Sequence, residues 1–521
     1  MLRHRRMFAI LFSVAVLLIL CGSSQAIPAF SRQYGTSCST CHVDFPKLND
    51  FGKAFKDAGF KFPKDDESFI KIPPVLLGAQ ANKELFPHSI WPGSIPGLPP
   101  IGLRYNHFFQ VVSANRNNFN LQDTTGNPAN QPFIPRTDFQ TGLFSIFTAG
   151  NFGSDIAFWV DDDFSVNGAN SNGGLGDGYL KFVNVGRFLK LPTDALSLRF
   201  GQFELDLPFS QARSWNLSGW DIYGQPNIGA PGQNVNNGFS LDAAAQGVEL
   251  SGGHQYRGYH YSLAIVNQNT GGTPSPGNNV SPQVSFMSDS NFKDLYGRFS
   301  YRFNLESDPA SRNEIQAAGA TGPRDHTYLS LGTLYFYGRS VQRFSGVTTS
   351  NTPVVITARE PFYRVGGDFN FNYHTFNLFG QFLYGRDQNL LPLIPNGLML
   401  PTGFTAGSPA HFSGGFLEAD YLVYPWMMTI MRWDRVNSTA DFLNGIGADQ
   451  NAPPASPFLS PVSTVRNRFT PGIQFLIHAN IKTSFEYQIR PRQIVYAPGT
   501  NTALTSPFRT NSAVAGLEFV Y

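Results

Sequence analysis

From Ile101 onward, apolar and polar residues alternate with a period of two, in runs broken by turn-rich polar stretches. In the run Arg364 to Tyr373, one face carries Val365, Phe369, Phe371 and Tyr373, and the other Arg364, Asp368, Asn370 and Asn372. Ile481, Phe485, Tyr487 and Ile489 oppose Lys482, Ser484, Glu486, Gln488 and Arg490 in the same way, and Phe299, Tyr301, Phe303 and Leu305 oppose Arg298, Ser300, Arg302 and Asn304. Each run is therefore read as a strand with one apolar and one polar face. The pattern predicts sixteen strands, near residues 101, 137, 154, 176, 195, 238, 254, 292, 326, 361, 374, 411, 425, 464, 480 and 511. Tyr373-His374 and Tyr424-Pro425 read as short turns, and 206–237, 306–325, 388–410 and 438–463 as long outer loops.

Alternation alone fits a soluble sandwich or a membrane barrel, since both bury one face. Three features favour the barrel. The apolar face is rich in Phe and Tyr, while the polar face repeats Arg, Asp, Asn and Gln. Runs of about ten residues, at ~3.3 Å rise and ~40° tilt, cover roughly the 25 Å apolar band of an outer membrane. The chain also ends on the alternating Val514 to Tyr521, with a terminal aromatic that resembles the closing strand of bacterial outer-membrane barrels.

Ahead of the strands the period changes. After Pro46, Leu48, Phe51, Phe55 and Ala58 recur at helical spacing, with Gly59 as a stop, and predict one short amphipathic helix. Prolines 63, 73, 74, 87, 92, 96, 99 and 100 then mark residues 69–100 as a linker. Residues 1–26 read as a signal peptide cleaved after Ala26 and exported by the general secretory route: basic residues precede the apolar run Phe8 to Leu20. Leu20 directly before Cys21 argues against a lipoprotein site.

Composition adds little to the pattern but agrees with it: 48 Phe, 20 Tyr and 51 Gly with only 14% charged residues suit many strands joined by polar loops. A net charge of +2 argues against a nucleic-acid partner.

The candidate chemistry lies in Cys38-Ser39-Thr40-Cys41-His42. In a C-x-x-C-H run two thiols can bond the vinyl groups of one c-type haem, and the adjacent imidazole can become an axial ligand to its iron. The competing readings are a redox C-x-x-C and a zinc half-site, which would need two further ligands. Removal of the leader leaves Cys38 and Cys41 as the only thiols. His88 is the one other imidazole between the expected cleavage site and the strands and is either a second iron ligand or a solvated loop residue. His107 shares a face with Leu103, Tyr105, Phe109 and Val111, which places it toward lipid. The short helix packs either on a macrocycle or on protein. Residues 27–68 are few for a self-sufficient core, and a lumen of sixteen strands is wide enough to hold them. Inward cations Arg104, Arg298, Arg302, Arg364, Arg466, Arg468, Lys482 and Arg490 would then meet propionates or plug carboxylates, or stay solvated and tune anion preference.

Ala29 to His42, followed by a helix and a porin-like barrel over 101–521, resembles the fused monohaem cytochrome–porin family of outer-membrane proteins from iron-oxidising bacteria. The resemblance implies haem attachment at Cys38 and Cys41 and His42 as proximal iron ligand. The expected fold is thus all-β, a transmembrane outer-membrane barrel of about sixteen antiparallel strands with a small N-terminal α-helical c-type cytochrome segment in its lumen. The expected function is electron transfer between an extracellular donor such as Fe(II) and a periplasmic cytochrome or other redox carrier, an iron:cytochrome oxidoreductase if the donor is iron. A solute porin with a haem-bearing gate, or the same conduit running outward, are the alternatives. Outer-membrane lipid is the remaining partner, and no catalytic side chain is assigned.

Overall fold

Period-two alternation with both faces occupied becomes a closed wall in the computed structural model. The structure describes residues 29–44, 46–62, 66, 70, 75–76, 94–95, 101–112, 136–152, 155–164, 174–210, 213–225, 239–241, 244–267, 292–305, 327–347, 353–387, 410–438, 465–489, 494–496, 503–505 and 511–521. Sixteen antiparallel strands form one closed barrel. They are β1 (Ile101–Val112), β2 (Arg136–Phe152), β3 (Ile156–Phe164), β4 (Gly174–Phe182), β5 (Ser197–Phe203), β6 (Ala245–His254), β7 (Arg257–Val266) and β8 (Asp294–Asn304). The circuit continues through β9 (Tyr328–Val347), β10 (Pro353–Tyr373), β11 (Phe376–Asp387), β12 (Ala410–Tyr424), β13 (Met427–Ser438), β14 (Val465–His478), β15 (Ile481–Gln488) and β16 (Ser512–Val520). Every strand pairs with its sequence neighbours, and β16 closes on β1 from Ser512↔Val112 to Val520↔Arg104. Closure leaves no unpaired edge, the condition for sheet backbone to lie in hydrocarbon.

Side chains follow the pleat. Phe299, Tyr301 and Phe303 face outward and are exposed, whereas Arg298, Ser300 and Arg302 between them are buried in the lumen. On β15, Phe485 and Tyr487 are each 45% exposed, against 5% for Glu486 between them. His107 lies outward beside Tyr105 and Phe139, ring centroids 6.4 and 6.1 Å away, as the alternation predicts.

Three expectations need correction. The connection across 306–325 joins β8 to β9, and the parity of the strands puts it at the end that carries the turns at 374–375 and 425–426 and both ends of the barrel sequence. It is not on the side of the long loops; length was a poor guide where strand count decides. The strand near 238 is a two-residue pairing of Phe239–Ser240 with Gly224–Gln225, and the wall strand begins at Ala245. Finally, 206–237 does not simply project outward: its described part, through Tyr223, folds back into the lumen. Trp220 Nε1 donates to Glu418 at 3.0 Å, and Glu486 accepts from Leu217 N at 2.6 Å and Ser218 Oγ at 2.6 Å. Arg432 donates to Ser218 O at 2.8 Å. Trp220, Ile222 and Tyr223 are buried with Leu334, Phe336, Leu383, Phe412 and Phe416 on the inner wall, so apolar packing as well as charge draws the segment inward.

The N-terminal segment occupies the lumen too. It consists of helix α1 (Ala29–Tyr34), a 3₁₀ turn Cys38–Thr40, a short pairing of His42–Asp44 with Lys47–Leu48, and helix α2 (Asp50–Asp57). The helical periodicity from Pro46 is realised only from Asp50, because the Asn49 side chain caps the helix by accepting from Gly52 N at 2.8 Å. Gly59, with φ +82°, ends it as expected, and a Cβ there would lie 2.8 Å from Val183 Cγ2. Phe55, Phe60 and Phe62 pack with Ala149 and Ala157 of the wall in one buried cluster, bordered by Trp159. Residues 1–26, His88, Arg490 and the side chain of Arg466 lie outside the described residues, as does nearly all of 69–100.

Candidate functional site: the lumenal cavity at the C-x-x-C-H motif

Each motif residue is set by local hydrogen bonds. Cys41 N donates to Cys38 O at 3.2 Å, closing the 3₁₀ turn. Asn49 then joins the turn to α2: its N donates to Cys41 O at 2.9 Å, and its Nδ2 to Thr40 O at 2.9 Å and Ser39 O at 3.1 Å. Gly52 sits against the same carbonyl, where a Cβ would stand only 2.1 Å from Cys41 O, so the helix can approach the motif this closely only with glycine there. Asn49 and Gly52 are the positioning residues that periodicity did not single out; an Asn just before a helical run is the signal that could have found the first.

The motif opens on a cavity of about 660 Å³, within the roughly 300–1,000 Å³ usual for cofactor pockets. Cys38, Cys41 and His42 line it together, with Phe30, Tyr34, Phe55 and Phe60 of the N-terminal segment, Phe108, Phe147 and Trp159 of the wall, and Leu217 of the in-folded segment. Neither cysteine is in a disulfide. Burial pushes both thiols up, Cys41 to about 12 with Cys38 contributing, which is opposite to the lowered pKa of a reactive C-x-x-C. Burial holds the His42 imidazole down, at about 4, against the pull of the Pro46 and Lys47 backbone, so it is neutral. Its Nδ1 lies 3.1 Å from Pro46 O, an acceptor, which puts the proton on Nδ1 and the lone pair on Nε2, the tautomer that a metal-ligating histidine needs. Among the described residues no group of three or more His, Cys, Asp or Glu side chains is placed to hold a metal ion, so the zinc reading finds no third and fourth ligand. The donor set and the large apolar wall fit a flat, mostly apolar macrocycle attached through two thioethers.

The inward cations separate into two groups. Arg302 meets the plug: its guanidinium donates to Asp50 at 2.7 and 2.6 Å. The others described pair with the wall, Arg104 and Lys482 with Glu518 at 2.6 and 2.9 Å, Arg298 with Asp368 at 2.6 Å, Arg468 with Asp434 at 3.0 Å, while Arg364 donates to the Tyr363 carbonyl at 2.9 Å; Arg468 and Arg298 also reach the in-folded segment, at Asp221 (3.2 Å) and Asp206 (3.9 Å). From the plug side, Lys47 Nζ reaches Asn377 Oδ1 at 2.7 Å and Asp420 at 3.4 Å, and lies 4.2 Å from the Trp215 ring centroid. The site is thus enclosed by the plug, the wall and the in-folded segment.

The sequence matches no protein-family model and no curated protein. Among solved structures, the chain is similar to an anion-selective porin from Comamonas acidovorans, at 10% identity over 81% of this chain and 98% of that one, TM-score 0.45. It is also similar to OprB of Pseudomonas putida (10%, 81% and 94%, TM-score 0.43) and the outer membrane channel DcaP of Acinetobacter baumannii (10%, 81% and 96%, TM-score 0.41). The strand ladder closes into a sixteen-stranded antiparallel barrel whose outward face is apolar, the arrangement a membrane-spanning barrel requires.

Proposed function

We propose that the protein is an outer-membrane barrel that carries one covalent haem c inside its lumen and serves electron passage across the membrane. The observation that carries this reading is the joint lining of one lumenal cavity by Cys38, Cys41 and His42. A haem bound there supplies a one-electron iron couple. The chain's own residues do the rest: His42 presents a neutral imidazole, the aromatic walls exclude water, and the salt bridges to Arg302 and Asp420 keep the plug in register with the wall. Filling the lumen with both the plug and the Trp220 segment suits a conduit better than an open pore. On this reading the loop side meets an external donor such as Fe(II) and the turn side a periplasmic redox carrier.

A second reading, a solute porin gated by the plug, is favoured by a further chamber of about 280 Å³ beside it, whose lining includes the charged or polar side chains of Lys47, Asp50, Lys181, Arg302, Asn372 and Asp420. Haem staining of the purified chain, its absorbance under anoxic Fe(II), and conductance in planar bilayers separate the two. The conduit requires covalent haem, reduction by a donor and little conductance. A colourless protein with steady conductance sinks it in favour of the porin.

A further inference from the structure

We propose that Lys56 on α2 is the cation that receives a carboxylate of the group held in the motif cavity, with Arg213 of the in-folded segment beside it. The inference rests on the haem reading, because a haem c brings two propionates that must be neutralised inside the lumen.

Three lysine or arginine side chains line the cavity: Lys56, Arg104 and Arg213. Arg104 is held by Glu518 at 2.6 Å and Arg213 by Glu204 at 3.2 Å. Lys56 has no ion pair among the described residues. The carboxylates around it have other partners: Glu204 also accepts from Ser210 Oγ at 2.8 Å, Asp206 lies 2.9 Å from His260 Nε2, Asp161 accepts from Trp159 Nε1 at 2.8 Å, and Asp177 accepts from Glu204 N at 2.8 Å. Lys56 stands one helical turn after Gly52, the residue that abuts Cys41, and lines both the motif cavity and the chamber beside it. Burial first, then the Arg213 and Arg199 guanidiniums, push its ammonium down to about 7, against the pull of Asp206 and Glu204. Glu204 pairs with Arg213 directly, whereas Lys56 stands beside that guanidinium in a buried place with no ion pair of its own among the described residues, which is costly. A carboxylate set against Lys56 lowers that cost, and it orients the rest of its molecule toward Cys38 and Cys41.

The test uses the purified full chain, wild type against Lys56→Met, Lys56→Arg and Arg213→Gln. The readouts are haem stain, optical spectrum, the resonance-Raman propionate bending bands, and the oxidised-to-reduced ratio against a redox dye at fixed potential. In Lys56→Met the haem stays attached and the axial spectrum is unchanged. Its propionate band shifts, and the ratio moves toward the oxidised form about three- to tenfold, ~30–60 mV for a one-electron couple. Lys56→Arg stays near wild type, and Arg213→Gln shifts the same way, which keeps the proposal testable if Lys56→Met does not assemble. Bands and ratio unmoved in the assembled Met or Gln variant overturn the assignment while leaving the haem reading intact. An altered axial spectrum in Lys56→Met overturns it by making Lys56 an iron ligand. Wild-type bands that move on addition of inorganic phosphate overturn it in favour of a soluble anion. A wild-type chain without covalent haem overturns both readings together.

Discussion

Asp50 accepts both arms of the Arg302 guanidinium, at 2.7 and 2.6 Å, and the same guanidinium carbon lies 3.5 Å from the Tyr328 ring centroid. One side chain of β8 thereby binds the first turn of α2. Asp50 is 22% exposed and keeps Lys53 at 3.6 Å, so removing Arg302 costs the hydrogen bonds to its charge, about 1.5–3 kcal/mol, and not a fully uncompensated buried ion. Arg302→Ala is therefore expected to loosen the plug by roughly that amount, seen as faster proteolysis within residues 29–62 and raised bilayer conductance with the barrel's own melting unchanged. Unchanged proteolysis would show that this pair does not hold the plug.

Lys47 makes the corresponding tie to β11 and β12 through Asn377 and Asp420. Lys47→Met leaves Asp420 buried without its ion-pair partner, with Glu418 and Arg432 as its remaining neighbours, at a cost of about 3 kcal/mol, whereas Lys47→Met with Asp420→Asn removes the charge left behind. The double variant should recover at least half of the protease resistance lost in the single one. A double variant as sensitive as the single points to the cation–π contact with Trp215 as the main term.

Gly52→Val places a branched side chain against Cys41 O, where even a Cβ would lie 2.1 Å away. Overpacking of this kind costs about 1–3 kcal/mol and moves backbone. The expected outcome is a folded barrel with several-fold less haem attached per chain, measured by haem stain against protein mass. Full haem content in Gly52→Val contradicts the tight seating of α2 on the motif.

Glu486→Ala removes the acceptor for Leu217 N, Ser218 N and Ser218 Oγ. Hydrogen bonds to a charged group contribute about 1.5–3 kcal/mol each, so the in-folded segment should detach at that corner. Red-shifted tryptophan fluorescence from Trp215 and Trp220, with a rise in bilayer conductance, is the predicted sign. Identical emission would mean that the apolar cluster around Trp220 suffices.

Leu263, 56% exposed on β7 opposite Leu250 of β6, belongs to the outward band. Leu263→Arg is expected to destabilise the barrel in lipid vesicles by about 2–4 kcal/mol. A smaller loss in denaturant titrations from vesicles than from mild detergent would argue against lipid on this face.

Much of this architecture was legible in the order of residues. Strand number, strand faces and the outward seat of His107 follow from a period of two, which is local: each side chain's face depends only on its neighbours along the strand. The Cys38 to His42 spacing and the stop at Gly59 are local in the same sense. What only the tertiary structure decided is how distant pieces share the lumen. A polar loop and an inward-turning loop have the same composition until Glu418 and Glu486, 198 and 268 residues further on, supply acceptors for Trp220 and Ser218. Of the inward cations predicted to meet the plug or the solvent, Arg302 meets Asp50, while Arg298, Arg468 and Lys482 find wall carboxylates on other strands. Those pairings depend on barrel register, which closure sets for all sixteen strands at once, and no stretch of sequence carries it alone.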